Sequence, residues 1–311
     1  MNHISQTLTV IVPVLMVIFL GYFSKKLNLI KDQGIEGMRF FITSIALPAA
    51  MFKAIASMEM SSTVWICCGI IFCMVSLVMF IGFLLTKIFP KLNGMLPFLI
   101  TCFEAGMLGY PLYTLLFGIE KLSYAIIIAL GSDLFVFTIY TTLLKRKEGN
   151  TNLIETLKGM LKSPIFISIV LGLIFSTTNI YFKFEGSMLI TTLFSVFNFL
   201  GQPIACVMLF VIGSTISFSK KNIVQEILIC LIRLALMGLM AYLAIQILDN
   251  IITLDKYFKT AILLLFFLPG PYMLPIFSEN ESNRSFTSTV LSLNLVFSMI
   301  AFTIITYSIP F

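Results

Sequence analysis

The sequence predicts an all-α membrane protein of about ten transmembrane helices in two inverted five-helix repeats. Three observations carry that expectation. The chain is too apolar for water, its basic residues alternate between connections, and two proline-containing breaks recur at nearly constant spacing. Of 311 residues, 59% are apolar and only 11% charged, with a mean hydropathy of +1.04. Soluble domains run at about 45–50% apolar and about 25% charged, so a water-exposed surface cannot be built from this composition. A helix crossing the hydrocarbon takes roughly 20 residues, and about ten spans use ~200 of them. Short connections remain, with no room for a separate soluble domain.

The spans are expected near 7–24, 36–57, 63–88, 95–118, 123–144, 164–182, 188–215, 223–248, 258–278 and 286–308. No basic residue beyond His3 precedes the first, and Lys25 and Lys26 follow it. That is the reverse of a secretory signal, so this run is expected to stay as a span. Lys25, Lys26, Lys31 and Arg39 follow the first span, and Lys87 and Lys91 the third. Lys145, Arg146, Lys147, Lys158 and Lys162 follow the fifth, Lys220 and Lys221 the seventh, and Arg284 the ninth. These positions put 14 of the 20 basic residues on one side. Excess Lys and Arg mark the cytoplasmic face, which places the protein in the cytoplasmic membrane with both termini outside. The net charge of +6 is thereby a topology signal, and no nucleic-acid partner is expected.

The most polar connection divides the chain into a first repeat (1–148), a linker (149–163) and a second repeat (164–311). Within the linker, Leu153, Ile154, Leu157, Met160 and Leu161 recur at helical spacing around Lys158 and Lys162, as in an amphipathic interfacial helix. Pro48 in the second span has a counterpart in Pro203 of the seventh, and Pro111 in the fourth has one in Pro269 of the ninth. The separations are 155 and 158 residues. Five spans is an odd number, so the second half enters the membrane upside-down relative to the first, the plan of secondary transporters.

The fourth span contains Glu104, Gly106, Gly109 and Pro111, and the ninth contains Pro269, Gly270, Pro271 and Pro275. Proline removes an amide donor and clashes with the preceding turn, while glycine lowers the cost of unwinding. Freed amides and carbonyls are costly in lipid unless they line a cavity. Duplicated breaks near the middle of two spans therefore point to a substrate site, the alternative being a pair of structural kinks. Other polar groups also fall at membrane depth. Asp133 fits an ion route or a cap on a broken helix. Arg233 lies roughly 18 Å beyond Lys221 along its helix, and needs an acidic partner (Asp133, Glu104 or Glu226) or a carbonyl cluster. It is expected to be a structural counter-charge. Asn198 and Gln202 flank the Pro203 opening and are expected in the cavity, whereas Asn294 fits an interhelical hydrogen bond. Lys53 and Glu59 read as an interfacial helix end.

Glu104-Ala105-Gly106-Met107-Leu108-Gly109-Tyr110-Pro111 resembles the N-x-G-F-L-G-x-P signature of the auxin efflux carrier family, which includes bacterial malate- and malonate-permease-like members. Gly21-Tyr22 before the basic Lys25-Lys26-Leu27, Ala46-Leu47-Pro48-Ala49-Ala50-Met51-Phe52, Ser163-Pro164 and Pro275-Ile276-Phe277-Ser278-Glu279 fit the same family along the chain. The resemblance implies ten helices in two inverted repeats, with broken fourth and ninth helices crossing at the site. It also implies a transport domain moving against a scaffold, and carriage of organic anions. One departure matters: Glu104 stands where the family usually has asparagine. A carboxylate there repels an anion. Either Glu104 is protonated when the anion binds, which gives proton coupling, or the cargo is not a simple anion.

The expectation is therefore a secondary active transporter for a small organic anion, coupled to a proton or cation through Glu104. The bilayer and the solute are its partners, and a homodimer is left open. No cofactor or metal is expected. His3 is the single histidine, and the six cysteines (Cys67, Cys68, Cys73, Cys102, Cys206, Cys230) lie in apolar runs without a C-x-x-C pair, reading as buried small hydrophobes. There is no G-x-x-x-x-G-K-[ST] sequence for nucleotide phosphates. A membrane-embedded enzyme would need clustered acids, bases or ligands, which the scattered carboxylates do not supply. A channel or non-transporting sensor is the other class, although several helices with a continuous polar face are not evident.

Overall fold

The computed structural model describes residues 3–58, 61–90, 93–147, 161–184, 186–216, 223–272, 274–277 and 281–308. These residues are helical, with no strand among them. In chain order the helices are α1 (His3–Lys26), α2 (Asp32–Ala56), α3 (Ser62–Ile88), α4 (Leu96–Phe117), α5 (Ile119–Lys147), α6 (Pro164–Thr177), α7 (Met188–Thr215) and α8 (Ile223–Ile251). The ninth is in two pieces, α9a (Lys256–Phe266) and α9b (Leu274–Phe277), followed by α10 (Glu281–Ser308). Seven helices (α2, α3, α4, α5, α7, α8, α10) are long and apolar enough to cross a membrane. The proposed amphipathic helix falls mainly on 148–160, and Glu59 on 59–60, outside the described residues.

Prolines and glycines shape the interruptions. Pro48 cannot donate an amide, and the turn before it, Ile42–Ala46, widens into a π-helix. Pro203 divides α7 into Met188–Gly201 and Ile204–Thr215. The expected span 164–182 is corrected: α6 stops at Thr177, where Asn179 in the left-handed region (φ 54°) redirects the chain into a short turn of helix, Ile180–Lys183.

Helices approach closely where side chains are absent. A Cβ on Gly21 of α1 would stand 2.0 Å from the Phe210 carbonyl oxygen of α7, and one on Gly213 would stand 2.0 Å from the Ile18 oxygen. Backbone contact of this kind is how helices associate in lipid, where no hydrophobic gain separates helix from solvent. Helices α1, α2, α6 and α7 pack as one group, and α3, α4, α5, α8, α9a and α10 as another. The cysteine expectation needs one correction. All six are free, but Cys73 and Cys206 are exposed on the helix surface. Apolar runs in a membrane helix cover its lipid face as well as its core, so composition alone cannot assign burial.

Candidate substrate site where the two broken helices meet

Helix α4 begins as Leu96–Ile100, unwinds through Thr101–Glu104, and resumes as a π-turn, Ala105–Gly109, that leads into Tyr110–Phe117. In the unwound stretch Thr101 is extended and Cys102 takes a positive φ of 61°. The second break lies between α9a and α9b, where Pro269-Gly270-Pro271 supplies two residues without an amide hydrogen. The breaks meet directly. The Glu104 amide donates to the Pro269 carbonyl at 2.9 Å. A Cβ on Gly270 would lie 3.3 Å from the Leu99 oxygen, and one on Gly109 would lie 2.6 Å from Leu265. Both glycines are thus sites of close approach between the two breaks.

Unwinding exposes carbonyls at the end of each first half-helix and amides at the start of each second one. Arg233 of α8 takes the carbonyls. It is 2% exposed. Its Nε and Nη2 donate to the Leu268 oxygen at 3.2 and 2.6 Å, Nη2 also to Cys102 at 2.5 Å, and Nη1 to Leu99 and Thr101 at 3.1 and 3.5 Å. The five N–H donors of a guanidinium thus serve four carbonyls. Of the two kinds of partner expected for Arg233, carbonyls rather than an acidic side chain supply its hydrogen bonds. Neighbouring helices take further carbonyls: the Tyr140 hydroxyl of α5 donates to Phe98 at 2.9 Å, and Ser298 of α10 donates to Phe267 at 2.6 Å.

Glu104 takes the amides. One carboxylate oxygen accepts from the Met107 amide at 3.2 Å, and the other from the Tyr272 amide at 2.8 Å. A single side chain thereby ties the start of the second half of α4 to the chain that leads into α9b. The arrangement is the electrostatic complement of Arg233, with an anion at the positive ends and a cation at the negative ones.

A cavity of 310 Å³ opens beside the Glu104 carboxylate. Gly106, Asp133 and Pro271 line it, with Arg39, Thr43, Tyr110 and Tyr272. A second cavity of 180 Å³ shares Arg39, Met107 and Tyr272 with it and reaches Pro275 and Ser288. A third, of 390 Å³, shares Leu47 and Tyr110 and contains Pro111, Asn198 and Gln202. A fourth, of 350 Å³, contains Lys53, Glu120 and Asn198. Their α2 residues advance from Arg39 through Leu47 and Ala50 to Ser57, so the cavities are stacked along that helix. Eighteen residues of helix span roughly 27 Å.

The sequence-chosen residues therefore divide. Glu104, Gly106, Asp133 and Pro271 share one cavity, whereas Pro269 and Gly270 do not line it: Pro269 accepts from the Glu104 amide, Gly270 packs on Leu99 and Gly109 on Leu265. Asn198, Gln202 and Pro111 lie in the neighbouring cavity, and Pro275 in the smallest. Lys53 lies in the last turn of α2, as expected of a helix end, and in addition lines a cavity and donates to the Asn198 side chain. Sequence reasoning missed Arg39, Tyr110 and Tyr272. Arg39 was counted among the cytoplasmic charges, but its side chain is 26% exposed, 3.6 Å from Glu36, and its buried Nε has no hydrogen-bond partner among the described residues. The Tyr110 and Tyr272 hydroxyls are likewise buried without partners. Their signal was adjacency to the proline breaks, as Gly109-Tyr110-Pro111 and Pro271-Tyr272.

Residues 6–306 match the family described as membrane transport protein, the auxin efflux carrier-like family. The chain belongs to that family. An uncharacterized transporter of Methanocaldococcus jannaschii is similar, at 25% identity over 225 residues, which cover 67% of this chain and 68% of that protein. The transporter is thus an integral membrane protein, and the paired breaks with their cavity are the natural place to look for its cargo.

Proposed function

We propose that the transporter carries a small organic anion, such as a carboxylate, across the cytoplasmic membrane by alternating access, with Glu104 as the group that couples the anion to a proton. The observation that carries this reading is the cavity at the meeting of the two breaks, which lies between the two groups of helices. Arg39, Thr43, Leu47 and Ile165 face it from α2 and α6, and Glu104, Tyr110, Asp133 and Tyr272 face it from α4, α5 and the second break. A solute held there contacts both groups, so movement of one against the other exposes it to either side. Arg39 supplies a cation with a free donor for an anionic headgroup.

Ten crossings in two inverted repeats also belong to this proposal, and the packing supports it. Helix α1 packs on α7 as α6 packs on α2; α3 packs on α5 and α4 as α8 packs on α10 and α9a. Each partnership recurs with every helix exchanged for its counterpart five places away in the other half. With both termini outside, as the basic residues suggest, Arg39 stands at the cytoplasmic end of the stacked cavities.

Reconstituted vesicles test the reading. Radiolabelled malonate is expected to enter saturably and to show counterflow when unlabelled malonate is loaded inside, and Arg39→Gln is expected to raise KM about tenfold, as for one charge-assisted hydrogen bond. Linear flux without counterflow would mark a channel and overturn it.

A further inference from the structure

The amides that an anionic cargo would seek at the two breaks are already occupied by this chain's own carboxylate. Glu104 accepts from Met107 and from Tyr272, one oxygen to each. A cargo carboxylate can reach the same donors only if the Glu104 side chain leaves them. Leaving as an ion would carry a second charge into a cavity walled by Phe103, Met107, Val136 and Phe137, where Arg39, the cation of its lining, is also the group the cargo carboxylate needs. Leaving as a neutral acid does not. Groups that could receive either carboxyl group surround it: the buried hydroxyls of Tyr110 and Tyr272, both without a hydrogen-bond partner among the described residues, and Arg39 at the cavity wall. Tyr110 is 2% exposed, yet lines the cavity with its hydroxyl uncommitted, which marks a place for a hydrogen-bonding ligand.

We infer that Glu104 is a tethered occupant of the cargo's anion position, and that a cargo carboxylate displaces it only as Glu104 takes a proton from the aqueous phase. The inference rests on the organic-anion reading of this site. Its balance is simple. One carboxylate enters, one proton binds a Glu104 carboxyl oxygen, and the charge at the meeting point is the same before and after. When the anion departs, Glu104 releases the proton and returns to the two amides. Transport is then one proton with each carboxylate in the same direction, carried out by a single side chain.

The charged and titratable groups facing Glu104 from the packed elements are Arg39 on α2, Asp133 on α5 and Tyr110 on α4, with Tyr272 at the second break and Arg233 of α8 behind the Cys102 carbonyl. Of these Asp133 is the rival proton carrier. It lines the same cavity, and no hydrogen bond reaches its carboxylate among the described residues. It does not hold the amides, so its protonation would not free them.

The decisive measurement is proton uptake on binding. Titrating the purified wild-type protein with malonate and with benzoate, in buffers of different ionisation enthalpy, gives the protons bound per anion. One proton per anion is expected, and Kd should rise about tenfold per pH unit wherever Glu104 is ionised in the empty site. Glu104→Gln should bind the same anions with no proton uptake and a flat Kd between about pH 7 and pH 8, because glutamine carries no proton to exchange and both probes are fully ionised there. Wild-type binding without proton uptake overturns the inference and leaves the anion reading standing. So does Glu104→Gln that still takes up a proton, which moves the exchange to Asp133. Absence of binding to either anion, in both proteins, overturns the anion reading and this inference together. If Glu104→Gln does not fold, Asp133→Asn decides: it should still take up one proton per anion, and loss of that uptake overturns the inference.

Discussion

Arg233 and Glu104 answer the same electrostatic problem at opposite ends of the breaks, and they answer it differently. Arg233 is almost fully buried and gives five hydrogen bonds to four carbonyls. Glu104 accepts two hydrogen bonds and stands at the wall of a 310 Å³ cavity. The carbonyl side is a filled, many-point contact with no room for exchange. The amide side is a two-point contact with space beside it. In a carrier the pair of breaks must keep its shape while its ligand changes. On the proposed reading, a fixed cation at one end and a releasable anion at the other provide both properties from one crossing point.

The largest expected effect breaks the carbonyl side. Arg233→Leu leaves four carbonyls without their donor in a water-poor interior, at a cost on the order of 3–5 kcal/mol. For a chain of this size the thermal midpoint in detergent should fall by about 10 °C, or the protein should lose its monodisperse peak on size exclusion. Arg233→Lys keeps the charge but has three donors instead of five, and should fall between. A wild-type midpoint for Arg233→Leu would remove the structural half of the comparison.

How much of this was legible beforehand follows from what each residue needs. Helices showed in the apolar runs, and the breaks showed in the clustered Pro and Gly, because those residues act on their own backbone. Glu104 and Arg233 were conspicuous because charge is scarce at membrane depth. Their partners were not legible. That Arg233 would meet Leu99 and Cys102 depends on segments 134 and 131 residues away in sequence coming to it, and Leu268 lies 35 residues off across the second break, which no local pattern encodes. Arg39 was hidden for a different reason. Its place among the cytoplasmic charges fits topology equally well, so composition gave no cause to send it into a cavity. The expected end of α6 failed because the apolar run continues past the left-handed Asn179, and hydropathy cannot register a turn.

The amide side should respond less in stability. Glu104→Gln keeps an oxygen that can accept from one of the two amides and loses the charge-assisted bond to the other. The cost should be about 1–2 kcal/mol, a midpoint lower by roughly 3–5 °C. Differential scanning fluorimetry on wild type and variant resolves a shift of that size. A fall as large as that of Arg233→Leu would mean that Glu104 is a fixed structural contact, and the contrast between the two ends would collapse.

The smallest stability effect is expected at the tyrosines, where the contrast is sharpest in binding. The Tyr110 and Tyr272 hydroxyls have no hydrogen bond to lose among the described residues. Tyr110→Phe and Tyr272→Phe keep the ring packing and remove only an uncommitted polar atom from a buried place. Midpoints should stay within about 1 °C of wild type or rise slightly, since an unsatisfied buried hydroxyl is itself unfavourable. Affinity for malonate, measured by titration at one pH, should fall about three- to tenfold for each, the worth of one hydrogen bond. The two readouts must separate for the argument to hold. A residue that serves the cargo costs binding and spares the fold, whereas one that serves the fold does the reverse. Loss of stability without loss of affinity would place the hydroxyls with Arg233, as parts of the frame, and leave the cavity without the groups that make it a binding site.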